Sequence, residues 1–139
     1  ENRKKYQKAI VLYDRLLKIF PGDAELLMKI AGLYILEKDL PAAKEYLLKA
    51  KDSFPKNHWI DYYLGLIAVD EKEYGCAINY FNESIRLGRK SPEPHIQKGY
   101  VFMVQEDTKQ AVKSFKEAIN LGTDMSDVYF FLILLQYRP

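Results

Sequence analysis

The chain has 139 residues, of which 29% are charged, and a formal net charge of +2. That length supports one domain with its own core, and so even a charge balance lacks the one-sided basic bias of a nucleic-acid binder. Nothing reaches the roughly 18 consecutive apolar residues of a membrane-spanning helix; VYFFLILL at 128–135 has only eight, so membrane insertion is not expected.

Taken in chain order, residues 1–23 (KYQKAIVLYDRLLKIFPGD and the four before it) mix charged and apolar positions throughout. They read as one amphipathic helix and not as a signal peptide. Residues 24–57 hold two helical stripes: Leu27, Ile30, Ala31 and Tyr34, then Ala43, Tyr46, Leu47 and Ala50, each at the i, i+3, i+4, i+7 spacing. Between them, Asp39 is placed to cap the second helix, and Pro41 is tolerated in its first turn. Residues 58–91 and 92–125 repeat the plan, with corners at DEKEY (70–74) and QEDT (105–108). Residues 126–139 supply one further apolar helix.

The plan has a period. Ala9, Ala43, Ala77 and Ala111 fall 34 residues apart, and four positions on stand Tyr13, Leu47, Phe81 and Phe115. Ala31, Gly65 and Gly99 form a second series, followed three residues later by Tyr34, Ala68 and Phe102. ESIRLG at 83–88 returns as EAINLG at 117–122. Interleaved series on one period mark an internal repeat. Small residues where two helices cross let the axes approach, and the large residues beside them fill the gap.

A 34-residue helix hairpin with this signature resembles the tetratricopeptide repeat. The resemblance rests on Ala31/Gly65/Gly99, Tyr34/Phe102, Tyr6/Tyr74, the alanine series, Phe81/Phe115, Ala50/Ala118 and Pro21/Pro55. Asp61 and His95 depart from the bulky residue expected early in the first helix. Lys38, Lys72 and Glu106 replace the turn glycine, and Arg89 and Thr123 replace the proline. The resemblance implies an all-α fold: a right-handed α-solenoid of stacked antiparallel hairpins. In that frame 24–57, 58–91 and 92–125 are complete repeats, 1–23 is a second helix alone, and 126–139 is a first helix alone. Such arrays usually end in polar caps, so the chain is expected to be a fragment of a longer array. Alternatively it associates with a second copy through Tyr13, Leu16, Tyr129 and Leu132.

In this family the first helices line a groove that holds a partner's peptide or helix. The positions off the packing stripe that would line it here are Met28, Ile35, Trp59, Tyr62, Tyr63, Leu66, Ile96, Gln97, Tyr100, Met103, Phe130, Phe131 and Leu134. Tyr and Trp offer large contact area with few rotatable bonds. The Lys, Asn and Arg clamp by which some members grip a C-terminal carboxylate is missing: those positions hold Met28, Gly32, Tyr63, Glu93 and Gln97. One unit on they hold Tyr62, Leu66, Gln97, Asp127 and Phe131.

No enzyme chemistry is legible. His58 and His95 have no Cys or carboxylate at a metal-ligand spacing; His58 is expected to open a helix and His95 to pack between helices. The lone Cys76 beside Ala77 forms no internal disulfide, is expected to be a buried inert thiol, and leans weakly towards a reducing, cytoplasmic setting. Asn82-Glu83-Ser84 fits a glycosylation pattern, but Ser84 falls at a packing position. No cofactor or metal is expected. The expected function is a non-enzymatic scaffold binding an apolar or aromatic segment of a protein. Self-association is the alternative. RNA binding is distant, because the groove offers only Lys29 and Arg138 for phosphates.

Overall fold

The structure, a computed structural model, describes residues 2–137. Eight α-helices account for it: α1 (Asn2–Ile19), α2 (Ala24–Leu36), α3 (Leu40–Ser53), α4 (His58–Asp70), α5 (Tyr74–Leu87), α6 (Glu93–Val104), α7 (Thr108–Asn120) and α8 (Ser126–Gln136). Each packs on its neighbours in the chain, and α4 also touches α6. The result is a stack of antiparallel hairpins in two layers, with α2, α4, α6 and α8 in one and α1, α3, α5 and α7 in the other.

The hairpin corners are built alike. Each first helix ends with a residue in the left-handed region: Lys38 (φ 66°), Lys72 (φ 61°) and Glu106 (φ 61°). The next amide bonds back five residues, Asp39 N to Tyr34 O (2.9 Å), Glu73 N to Ala68 O (2.8 Å) and Asp107 N to Phe102 O (2.9 Å). This closes the helix in a Schellman motif. The chain keeps the glycine conformation at these corners without the glycine. The second helix then starts from a cap. Asp39 accepts from Ala42 N and Asp107 from Gln110 N, both at 3.2 Å, whereas Glu73 at the equivalent position makes no such bond. Pro41 lies in the first turn of α3, where its missing N–H costs nothing.

Packing inside each hairpin follows the small-against-large pattern. A Cβ added to Gly65 would lie 2.5 Å from the Phe81 ring, and one added to Gly99 2.4 Å from Phe115. Ala31, which carries that Cβ, shares its buried cluster with the shorter Leu47. The core is thus distributed along the stack. One cluster joins α2, α3 and α4, a second joins α4, α5 and α6, and a third joins α6, α7 and α8 around Phe115 and Val128.

Two residues sit differently from expectation. Cys76 is exposed, not buried: one residue before Ala77, it is turned about 100° off the packed face. Asp61 takes the place of a bulky core residue and is itself buried, at 1% exposure. Its Oδ1 accepts from Lys51 of α3, and its Oδ2 has no partner among the described residues. Ser84 is buried, donating to the His58 carbonyl at 2.9 Å, and His58 opens α4.

Candidate functional site

The layer of first helices carries a row of rings. Trp59 meets Tyr62 edge-on (5.5 Å, 87°), and Tyr62 meets Tyr63 at 5.6 Å. Further along, Tyr100 of α6 meets Phe131 of α8 (5.6 Å, 82°), and Phe131 meets Phe130. Within α4, helical spacing puts Trp59 on the same side as Tyr62 and Tyr63, because positions three and four apart share a face. They are ordered by packing from behind: Tyr62 leans on Phe81 and Tyr100 on Phe115, the two rings seated against the helix glycines.

Between α2 and α4 the surface opens into a cavity of ≈ 430 Å³ lined by Glu25, Met28, Lys29, Gly32, Asn57, Trp59 and Tyr63. Asn57 has two tasks there. Its side-chain oxygen caps α4 by accepting from Trp59 N at 3.1 Å, and its amide reaches Met28 Sδ at 3.8 Å. Sequence reasoning passed over Asn57, although an Asn before an apolar helix is a cap signal. A larger cavity of ≈ 690 Å³ lies between α1, α2 and α3. Lysines and aspartates of both signs rim it, with Tyr46 as its one ring, so it offers no comparable platform.

Most of the positions expected to line the groove are half-buried: Met28, Ile35, Trp59, Tyr62, Tyr63, Leu66, Gln97, Tyr100, Met103 and Phe131. Phe130 (58%) and Leu134 (50%) are exposed. Ile96 stands apart. At 3% exposure it belongs to the core cluster shared with Phe115, Val128 and Phe131, so its side chain offers no surface to a ligand. Of the residues expected to mediate self-association, Leu16 and Tyr129 are exposed while Tyr13 and Leu132 are half-buried. The Tyr129 hydroxyl donates to the Thr123 carbonyl at 3.3 Å. Arg138 lies outside the described residues.

The electrostatics of the row are uneven. Burial raises the Tyr62 hydroxyl above its usual pKa, and the Glu93 carboxylate adds to the rise against an opposing effect of Gln97. Burial likewise raises Tyr100, with the Asp127 carboxylate adding to it. Lys29 pairs with Glu25 at 3.3 Å on the surface of α2. No cluster of three or more potential metal ligands occurs among the described residues, and no described helix is long and apolar enough to cross a membrane.

Stacked antiparallel hairpins, each turned by the same backbone corner, define a helical-repeat solenoid. The tetratricopeptide repeat family model matches residues 3–67. The solved structure of MamA superposes with a TM-score of 0.83 over 96% of this chain and 78% of that one, at 21% identity. The first tetratricopeptide domain of Spaghetti (RPAP3), bound to the HSP90 peptide SRMEEVD, superposes with a TM-score of 0.76 over 81% of this chain and 90% of that one, at 16% identity. The family match covers just under half of the chain, and the chain as a whole has the helical-repeat fold of these structures. No curated protein matches the sequence. Since 248 solved chains share the fold, likeness of fold selects no partner.

Proposed function

We propose that the chain is a non-enzymatic scaffold whose first-helix layer holds an extended or helical segment of a protein partner. The observation that carries this reading is the row of rings from Trp59 through Tyr62 and Tyr63 to Tyr100, Phe131 and Phe130. Two groups of half-exposed rings on one helix layer, with Phe130 exposed, are of the kind that partner surfaces use. The peptide in the Spaghetti complex supports a similar use of the same fold. No constellation of described side chains supports catalysis: the Ser84 hydroxyl beside His58 is buried and donates to the backbone carbonyl, and Cys76 stands on the opposite layer among Lys51, Asn79, Tyr80 and Glu83. The groove's few cations favour a protein segment over RNA.

The test is substitution of Tyr63 and Tyr100 by Glu, which is expected to abolish partner capture while leaving the helical content and the solution mass unchanged. Capture that survives both substitutions sinks the reading.

A second reading has its own observation. Val11, Leu12 and Leu16 on α1 are exposed, as are Tyr129, Ile133 and Leu134 on α8. Two copies joined through these faces would show a mass that rises over a hundred-fold concentration range in light scattering. A constant monomer mass would dismiss it.

A further inference from the structure

The even overall charge conceals one uneven helix. Six of the chain's 21 Lys and Arg residues stand on α1, against a single carboxylate, Asp14. All six are exposed, whereas Asp14 is half-buried and accepts from the Tyr46 hydroxyl at 3.2 Å. Ile10 is buried and Leu17 packs on the core cluster of α2, α3 and α4, which fixes the inner side of α1. Lys8, Val11, Leu12, Arg15 and Ile19 recur at three- and four-residue spacings on the outer side. Four of them, with Gln7, line a shallow hollow of ≈ 420 Å³. Leu12 (59%) and Ile19 (68%) are the most open aliphatic side chains of the helix.

The other outer helices are different. At the repeat-equivalent outer positions α3, α5 and α7 carry Glu45, Glu83 and Glu117; Glu45 pairs with Lys49 at 3.5 Å and Glu83 with Arg86 at 2.6 Å. The outer side of α1 has no carboxylate, and none of its six cations joins an ion pair among the described residues. Glu37, at the end of α2, is taken up by the Gln7 amide at 2.8 Å. These outer positions do not depend on what packs beside α1: Glu45 and Lys49 are exposed although α3 is packed against both α2 and α4.

We propose that the outer side of α1 docks the protein onto an anionic lipid surface. Val11, Leu12 and Ile19 sink into the boundary between headgroups and acyl chains. Lys8, Arg15 and Lys18 reach the lipid phosphates, their stems lying along that boundary. The helix lies on the membrane without crossing it, in keeping with its mixed composition. Charge selects this occupant, and the aliphatic side chains separate it from others. With no ring among them they give a nucleic acid nothing to stack on, and a second copy of the same face would set like charges against each other. The docked face belongs to the second-helix layer and the ring row to the first, so this inference is independent of the groove reading.

The experiment is sedimentation of the full chain with two kinds of vesicle, pure phosphatidylcholine and equal parts phosphatidylcholine and phosphatidylserine. Binding to the anionic vesicles alone is expected, weakening as salt is raised. A Lys8→Glu, Arg15→Glu double variant should lose affinity by roughly tenfold or more. A Leu12→Ser, Ile19→Ser variant should also weaken it, and Tyr63→Glu should leave it unchanged. All these positions are at least partly open, and unaltered circular dichroism checks that each variant folds. Vesicle binding that survives the charge reversal would place the contact elsewhere and overturn the inference. Binding that ignores the two serines would mean that the face reads charge alone, as a nucleic-acid surface does, and would overturn it too. Indifference to both vesicles, with or without a solution mass that rises with concentration, would return the face to a protein partner or a second copy and sink the proposal.

Discussion

Gly65 and Phe81 show how a single pair of residues sets the distance between two helices. The Phe81 ring occupies the space that a Cβ on residue 65 would need, at 2.5 Å. Gly65→Ala therefore forces the ring or the helix to move, a cost of about 1–3 kcal/mol for overpacking, partly offset by up to ~1 kcal/mol of better helix propensity. Equilibrium unfolding in urea should find the single variant destabilised. Phe81→Leu, which recreates the Ala31–Leu47 pairing of the first hairpin, should absorb the added methyl. The double-mutant cycle is expected to show about 1 kcal/mol of favourable coupling, and strict additivity would argue against direct contact. Single residues were also where the sequence was hardest to read. Ala43, Ala77 and Ala111 are fully buried, as their 34-residue series implies, because a small residue is needed wherever helices cross. Cys76 beside them is exposed, because a periodic pattern fixes a face and its neighbour falls off it. The pairing of Asp61 with Lys51 spans a corner between two hairpins, where no helical spacing applies, so nothing in the pattern announces it.

Among the elements, the corners differ from one another in one atom's reach. Asp39, Glu73 and Asp107 share nearly the same backbone, with φ −91° and ψ 75°, 71° and 80°. Only the two aspartates place a side-chain oxygen on the third amide of the following helix; the glutamate, one methylene longer, does not. Glu73→Asp should therefore supply the missing cap of α5 and stabilise the protein by about 0.5–1 kcal/mol. A rise in thermal midpoint checks this, and an unchanged midpoint would show that α5 is fastened without it. The helices themselves were legible because two amphipathic stripes separated by a polar corner admit few other arrangements. The site was legible only in part. The aromatic positions follow from the repeat, but whether one faces outward depends on what the next helix lays over it. Ile96 shares its register with Met28, Tyr62 and Phe130, yet lies in the cluster closed by Phe131 and Val128.

At the scale of the whole molecule, the buried residues fall into three successive clusters with no buried member in common. Stability in such a stack is a sum of hairpin terms and interfaces between neighbours. Phe115→Ala removes the largest side chain of the α6–α8 cluster, at a cost of about 3–5 kcal/mol. Native-state hydrogen exchange is expected to show faster amides in α6, α7 and α8, with α2 and α3 changed little. A uniform loss of protection along all eight helices would mean that the stack unfolds as one unit. The same distribution holds two rings of the first-helix layer in place, since Tyr62 leans on Phe81 and Tyr100 on Phe115 of their own hairpins; under the proposed reading a partner would meet a face ordered before it arrives.

The pairing of glycine with phenylalanine in two hairpins, and of alanine with leucine in the other, also bears on how such a chain can be rebuilt. A graft that joined α2 to α5 would press the Ala31 methyl into the Phe81 ring, while one that joined α4 to α3 would leave a void between Gly65 and Leu47. A complete hairpin carries its own spacing and can be duplicated, deleted or transplanted with it. For this chain the natural currency of recombination is the helix pair, and a crossover at a corner residue such as Lys72 breaks the match that a crossover between hairpins preserves.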